Sequence, residues 1–321
     1  MCVVAVLLLP NIAGCSGHGA GDTIQAIPGT EQVAIYEFAI SVSPDERWLA
    51  FTEWVLPKSR VFEDLSPYEY EARVATLNLK TGESVRHSIN SLQPNDLGFS
   101  TDDQGWKGVA GLEVIEKRFR PPGWLGTIFR FQTYYGGVQI VLQADEPGMR
   151  IDQEAPGTSS SCSDCPPMTS VQFRDRAWGL LSNDVSAVVR DGVVSSIYFV
   201  GEGPYRTNMI LRLGSDGDEQ LLVEREEKAG VLLAIASVRV SPDERYLAYV
   251  VNTKKQEFLA GPREDLFIRD LKGARERRIA QYGYMSNLIW SPDSRRLYFA
   301  GGEYSSDSAV RVVDVPAVFE R

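Results

Sequence analysis

The chain's reactive inventory is thin in histidine and rich in carboxylate, with 2 His against 43 Asp and Glu. His18 lies in an early Gly-rich stretch, which leaves His87 as the one imidazole of the folded part. That composition argues against histidine-dependent hydrolysis and against multi-histidine metal sites. Cys162-Ser163-Asp164-Cys165 sits among serines and prolines and reads as a loop. We read the pair first as a local disulfide of an oxidising compartment. A zinc half-site would need two more ligands, and no second CxxC or histidine cluster supplies them. A redox pair would want a helix N-terminus, where the thiolate is stabilised. Two free thiols are the remaining reading. Leu213-Gly214-Ser215-Asp216-Gly217-Asp218-Glu219 is acidic and Gly-bearing, but it lacks the spacing of a twelve-residue calcium loop and reads as a hairpin turn. No cofactor and no metal are expected.

Three polar residues, Glu53, Asn252 and Glu303, each follow a strongly apolar strand. Brought to one mouth of a ring, they would bind a cation or a polar ligand; the plainer reading is a solvated loop position. A second set, Trp106, Arg118, Arg120, Trp124, Arg130 and Tyr134, mixes aromatics with arginine, the usual anchors of protein interfaces. Its plainer reading is packing aromatics with solvated arginines. A carboxylate pair of the glycosidase type stays open, but no pair is singled out. There is no P-loop, no G-x-S-x-G elbow, no H-E-x-x-H and no dinucleotide fingerprint.

These residues hang on an internal repeat. Ser43-Pro44-Asp45-Glu46-Arg47-Trp48-Leu49-Ala50-Phe51 aligns without gaps with Ser241-Pro242-Asp243-Glu244-Arg245-Tyr246-Leu247-Ala248-Tyr249 and with Ser291-Pro292-Asp293-Ser294-Arg295-Arg296-Leu297-Tyr298-Phe299. Proline presets the first turn residue, and Ser and Asp bond to nearby backbone amides, so each unit predicts a strand, a tight turn and a second strand. The near-continuous apolarity of the second strand suits burial on both faces. Gly98-Phe99-Ser100-Thr101-Asp102 and Leu180-Leu181-Ser182-Asn183-Asp184 are weaker copies. The five serines are spaced by 57, 82, 59 and 50 residues. A four-stranded propeller blade takes about 40–50 residues. The long interval therefore holds an insertion or a sixth blade.

The second half of each unit is a strand, a Gly turn and an outer strand: residues 73–86, 209–223 and 265–279. The last unit ends in Val310-Arg311-Val312-Val313-Asp314-Val315 with no clear outer strand, while residues 32–36 form an extra strand before the first unit. We expect an all-β fold: a single β-propeller of five to six four-stranded blades, six favoured. The strand at 32–36 would complete the last blade and close the ring, which removes exposed edges.

A Ser-Pro-Asp turn, a basic residue, then Leu-Ala-Phe or Leu-Ala-Tyr and a strand–Gly–strand hairpin resembles the WD40-like repeats of the TolB-like family. The resemblance covers residues 32–315 and implies the propeller fold; it says almost nothing about function. TolB carries a separate domain before its propeller, whereas here the propeller is expected to begin near residue 32; the resemblance leaves no room in these residues for the hydrolase domain of prolyl oligopeptidases.

Residues 3–10 are an apolar run too short to span a bilayer, although no Lys or Arg precedes them. Ile12-Ala13-Gly14-Cys15 follows and resembles a bacterial lipobox, in which Cys15 becomes the lipidated N-terminus. Ser16 resembles an outer-membrane sorting signal. The expected organisation is a signal peptide at 1–14, a flexible tether at 15–31 and a propeller at 32–321. The net charge of −10 repels nucleic acid. The sequence thus points to a monomeric, non-enzymatic interaction module in the periplasm, lipid-anchored to the outer membrane and binding envelope proteins. A propeller enzyme, or a receptor for a glycan or peptide at a central pocket, is the alternative.

Overall fold

The Ser-Pro-Asp segments fold into one turn repeated three times in a computed structural model of the chain. In each, the serine hydroxyl donates to the aspartate two residues on, at 2.6 Å. The same oxygen accepts the N–H five residues on, at 2.9, 2.9 and 2.8 Å. The aspartate accepts the N–H of Arg47, Arg245 or Arg295 at 3.0–3.1 Å. The serine bond holds the Asp45 and Asp293 carboxyls below the usual carboxylate range. The residue between Asp and Arg sits in the left-handed region: Glu46 at φ 52°, Glu244 at 55° and Ser294 at 62°. The arginine carbonyl then accepts the N–H of Leu79, Leu271 or Val315, each at 2.8 Å, which ties the turn to the end of the third strand of its unit.

The structure describes residues 24–31, 33, 40–55, 71–87, 112–114, 123–125, 128–132, 139–143, 145, 150–152, 170–173, 176–179, 185–190, 193–202, 207–214, 218–225, 231–255, 263–303 and 308–320. They begin with β1 (Ile24–Ala26). Strands β2 (Ile40–Val42), β3 (Trp48–Val55), β4 (Glu71–Asn78) and β5 (Ser84–His87) form one antiparallel sheet in chain order. Next come β6 (Leu112–Val114), β7 (Gly123–Leu125), β8 (Ile128–Gln132), β9 (Gln139–Gln143), β10 (Arg150–Asp152), β11 (Ser170–Phe173) and β12 (Arg176–Gly179). Strands β7 to β10 make a four-stranded sheet, and β6 joins β11 and β12 in a three-stranded one. Strands β13 (Val185–Arg190), β14 (Val193–Glu202), β15 (Thr207–Gly214) and β16 (Glu219–Glu224) form the next sheet. Strands β17 (Val231–Val240), β18 (Tyr246–Lys255), β19 (Arg263–Asp270) and β20 (Arg275–Tyr282) form another. The last contains β21 (Tyr284–Trp290), β22 (Arg296–Gly302), β23 (Ala309–Asp314) and, at its outer edge, β1. Helix α1 (Val315–Phe319) ends the described chain, N-capped by Asp314.

Six blade-like sheets are therefore present among the described residues, in an all-β propeller fold. The 82-residue interval holds an additional sheet, β7 to β10, set between β6 and β11. First strands of consecutive sheets pack on each other, β13 on β17, β17 on β21 and β21 on β2. The sheets thus converge on their first strands and fill the seams between them with side chains. One seam, between β13–β16 and β17–β20, is built from Val200, Ile210, Val238, Leu247 and Val251. The next uses Val250, Leu266, Ile268, Leu297 and Phe299. The third uses Ile40, Leu49, Phe51, Ala75, Ala300 and Val310. Leu49, Leu247 and Leu297, the shared leucine of the repeat, are each fully buried.

One expectation changes. The N-terminal strand does complete the last blade, but it is β1: Ile24, Gln25 and Ala26 pair with Val313, Val312 and Arg311. From the segment 32–36, Val33 is described, and it makes one isolated bridge to Glu53. The reason is local. Ile27 N–H donates to the Val310 carbonyl at 2.8 Å, and Thr30 Oγ1 accepts Val310 N–H at 3.0 Å. Gly29, at φ 85°, turns the chain between these bonds. Residues 24–31 thus belong to the fold and not to the tether. The weak copy at 180–184 lies outside the described residues. In the β13–β16 blade, Arg190 of β13 pairs directly with Val193 of β14. The last unit ends in α1 with no outer strand of its own, in keeping with its sequence.

Candidate functional site

The blade ends opposite the Ser-Pro-Asp turns carry the polar residues singled out from sequence. Glu53, Asn252 and Glu303 stand ten, eleven and twelve residues after their turn serines. They therefore occupy three different register positions: Val251 and Gly301 take the place of Glu53. Because strand side chains alternate between faces, a one-residue offset sends Asn252 to the opposite face from Glu53.

Glu53 lies in the seam between the last and first blades. It is 5% exposed and accepts a hydrogen bond from Arg86 Nε at 2.8 Å. Asn252 and Glu303 lie elsewhere, on the two sides of the seam between the last two blades. Asn252 pairs in register with Ala234 and Glu264. Glu303, directly after β22, forms an ion pair with Arg263 at the start of β19. The carbonyl of Glu303 also approaches Gly283, the one residue between β20 and β21; a Cβ there would lie 2.1 Å from that oxygen. Glycine is needed for this crossing.

Glu264 is the residue that sequence reasoning missed. Its carboxylate accepts the Met285 N–H from the next blade. Burial pushes its pKa up to about 7 against the opposing effect of that bond. Its neighbours are committed: Asp265 accepts Gln281 Nε2 at 3.0 Å and lies 3.6 Å from Arg278 Nη1. The rim can hold or release one proton near neutrality and offers an amide beside it. Among the described residues no group of three or more His, Cys, Asp or Glu is placed to hold a metal ion. His87 is fully buried, with Nε2 3.0 Å from Thr76 Oγ1, and serves the interior of the first blade.

One seam over, Arg225 donates to Tyr249 and, at 2.6 Å, to Glu276, while lying 4.3 Å from the Phe267 ring centroid. Burial and the Glu276 bond hold the Tyr249 hydroxyl in its protonated form. This cluster ties two blades together.

Of the aromatic and arginine set, Trp124 lies on β7, paired with Phe129, and Arg130 lies on β8, paired with Gly123 and Val141. Trp106, Arg118, Arg120 and Tyr134 fall outside the described residues, as do Cys15, Cys162 and Cys165.

No protein-family model matches the chain, and no curated protein does. Among solved structures, an oligogalacturonate lyase from Vibrio parahaemolyticus aligns over 94% of this chain and 96% of its own, at 12% identity and a TM-score of 0.37. A member of the duf4221 family from Bacteroides vulgatus aligns over 92% and 96%, at 7% identity and a TM-score of 0.39. A hypothetical protein from Leishmania major aligns over 93% and 91%, at 8% identity and a TM-score of 0.36. At these values no activity carries over.

Proposed function

We propose that this chain is a TolB-like propeller scaffold of the bacterial cell envelope, lipid-anchored at Cys15, which binds protein partners and catalyses no reaction. The observation that carries this reading is the pairing of the rim charges. Glu53 is bound to Arg86, Glu303 to Arg263, and the three candidate residues divide between two seams. Acid–base catalysis needs uncommitted groups that converge on one reacting atom. A rigid ring with neutralised rims instead favours recognition by shape and a few anchors, in which Trp124 and Arg130 are suitable types. Cys162 and Cys165 would stiffen a loop as a disulfide in the same compartment.

The second reading, a receptor or enzyme for a glycan or peptide, draws on Glu264, whose carboxyl is tuned for proton exchange near neutrality. Affinity purification of the anchored protein from detergent-solubilised membranes, read by mass spectrometry, tests both. We expect a stoichiometric envelope protein that is retained by a Glu264→Gln variant. Recovery of no stable partner, together with glycan or peptide turnover abolished by Glu264→Gln, would overturn the first reading in favour of the second.

A further inference from the structure

We propose that the outer edge of the last blade is the membrane-proximal face of the protein, held against the lipid headgroup layer. This rests on the reading of Cys15 as the lipidated N-terminus. The chain becomes fixed to the fold at Ile24, where β1 pairs with β23. Ile27 N–H and Thr30 Oγ1 then bind the two backbone groups of Val310, so no slack is released downstream of that strand. The tether is therefore the nine peptide steps from Cys15 to Ile24. Nine steps reach at most about 30 Å when fully extended. A folded body of this size has a radius of gyration of about 19 Å and is about 50 Å across. The anchor is thus shorter than the body it holds, and the edge carrying β1 must face the lipid.

The chemistry of that edge suits headgroups and not hydrocarbon. Gln25, Ala26, Pro28 and Glu31 are its exposed residues, with no large apolar side chain among them. The strand is three residues long, a short edge that does not invite pairing with another chain. The outer strand β16, two blades away, is then turned from the membrane.

The test uses the lipidated chain in phospholipid vesicles that carry a headgroup-linked quencher. A fluorophore-bearing side chain replaces either Ala26 or Leu221, the latter an exposed residue of β16. We expect quenching at least several-fold stronger at position 26, and near-equal quenching at both positions once a twenty-residue Gly–Ser segment is inserted after Gly21. Equal quenching without the insertion would overturn the orientation alone. If Cys15→Ser leaves the amount of protein pelleting with vesicles unchanged, the anchor reading falls, and the orientation falls with it.

Discussion

The Glu244 carboxylate accepts the hydroxyl of Tyr198, at 3.1 Å, across the seam between two consecutive blades. Ser196 donates to the same oxygen at 2.7 Å, and Arg212 lies 3.8 Å away. The contact recurs two seams further on: Glu46 accepts Arg296 at 2.5 Å and Tyr298 at 3.3 Å. Between these two seams the turn residue is Ser294, which accepts the Asp243 N–H at 3.1 Å, and the position matching Tyr198 and Tyr298 is Ala248. Each turn reaches back to the blade before it. A glutamate in the left-handed region costs about 1–2 kcal/mol that glycine would not; the bond across the seam offsets that strain.

This relationship separates two substitutions. Glu244→Ala keeps the strained backbone and loses the bonds, and should destabilise by about 2 kcal/mol. Glu244→Gly loses the bonds but relaxes the φ of 55°, so it should be about 1 kcal/mol less damaging. Urea denaturation of both variants checks the order. Alanine equal to or better than glycine would show that the turn is not strained.

The turn serines should be individually important. Ser241→Ala removes the acceptor of the buried Tyr246 N–H and the donor to Asp243. A loss of about 1–3 kcal/mol is expected, as for a buried group left unpaired. Ser291→Ala should behave alike, since its bonds match. A loss below about 0.5 kcal/mol in either, by thermal or urea unfolding, would argue against the repeated turn.

Packing across the seams predicts a sharp contrast between two leucines. Leu247 is fully buried, and Leu221 is 49% exposed. Leu247→Ala should cost about 2–5 kcal/mol, and Leu221→Ala should change stability by less than about 0.5 kcal/mol. Comparable effects would contradict the placement of β16 at an outer edge.

Much of this was legible because the Ser-Pro-Asp turn is a local device: the bonds between its serine, its aspartate and the following N–H groups close within five residues, so the three sharp copies announced their own strands. The blade of β13–β16 has no Ser-Pro-Asp sequence, so its start was less sharply marked. The closing strand was misplaced for a physical reason as well. Residues 32–36 are more apolar than Ile24-Gln25-Ala26, and β1 is specified by its partner Val310–Val313 rather than by its own pattern. Glu264 was invisible because its burial arises from the β20–β21 crossing, between residues far apart in the sequence.

Glu264 also sets a pH dependence whose sign is fixed. Its folded pKa of about 7 lies above the ordinary value of 4.5, so the folded state holds the proton more tightly. The associated stability is fully present below about pH 4.5 and is lost as pH rises through 7, up to about 3 kcal/mol. Asp45 and Asp293 act oppositely and at lower pH: their depressed values favour folding above the usual carboxylate range, a contribution lost on acidification. Urea midpoints from pH 5 to 8 should fall in the native chain and flatten in Glu264→Gln. Parallel slopes would remove Glu264 as the cause.

Closure of the propeller by β1 underlies both the fold and the placement of the anchor, and one cross-link tests it. Gln25 and Val312 are directly paired, at a spacing suited to a disulfide. In the Gln25→Cys/Val312→Cys variant, mild oxidation followed by peptide mass spectrometry should recover the linked pair in high yield, whereas Val33→Cys/Val312→Cys, with Val33 bridged to Glu53, should give almost none. Efficient linkage at position 33, with none at 25, would contradict the closure described here.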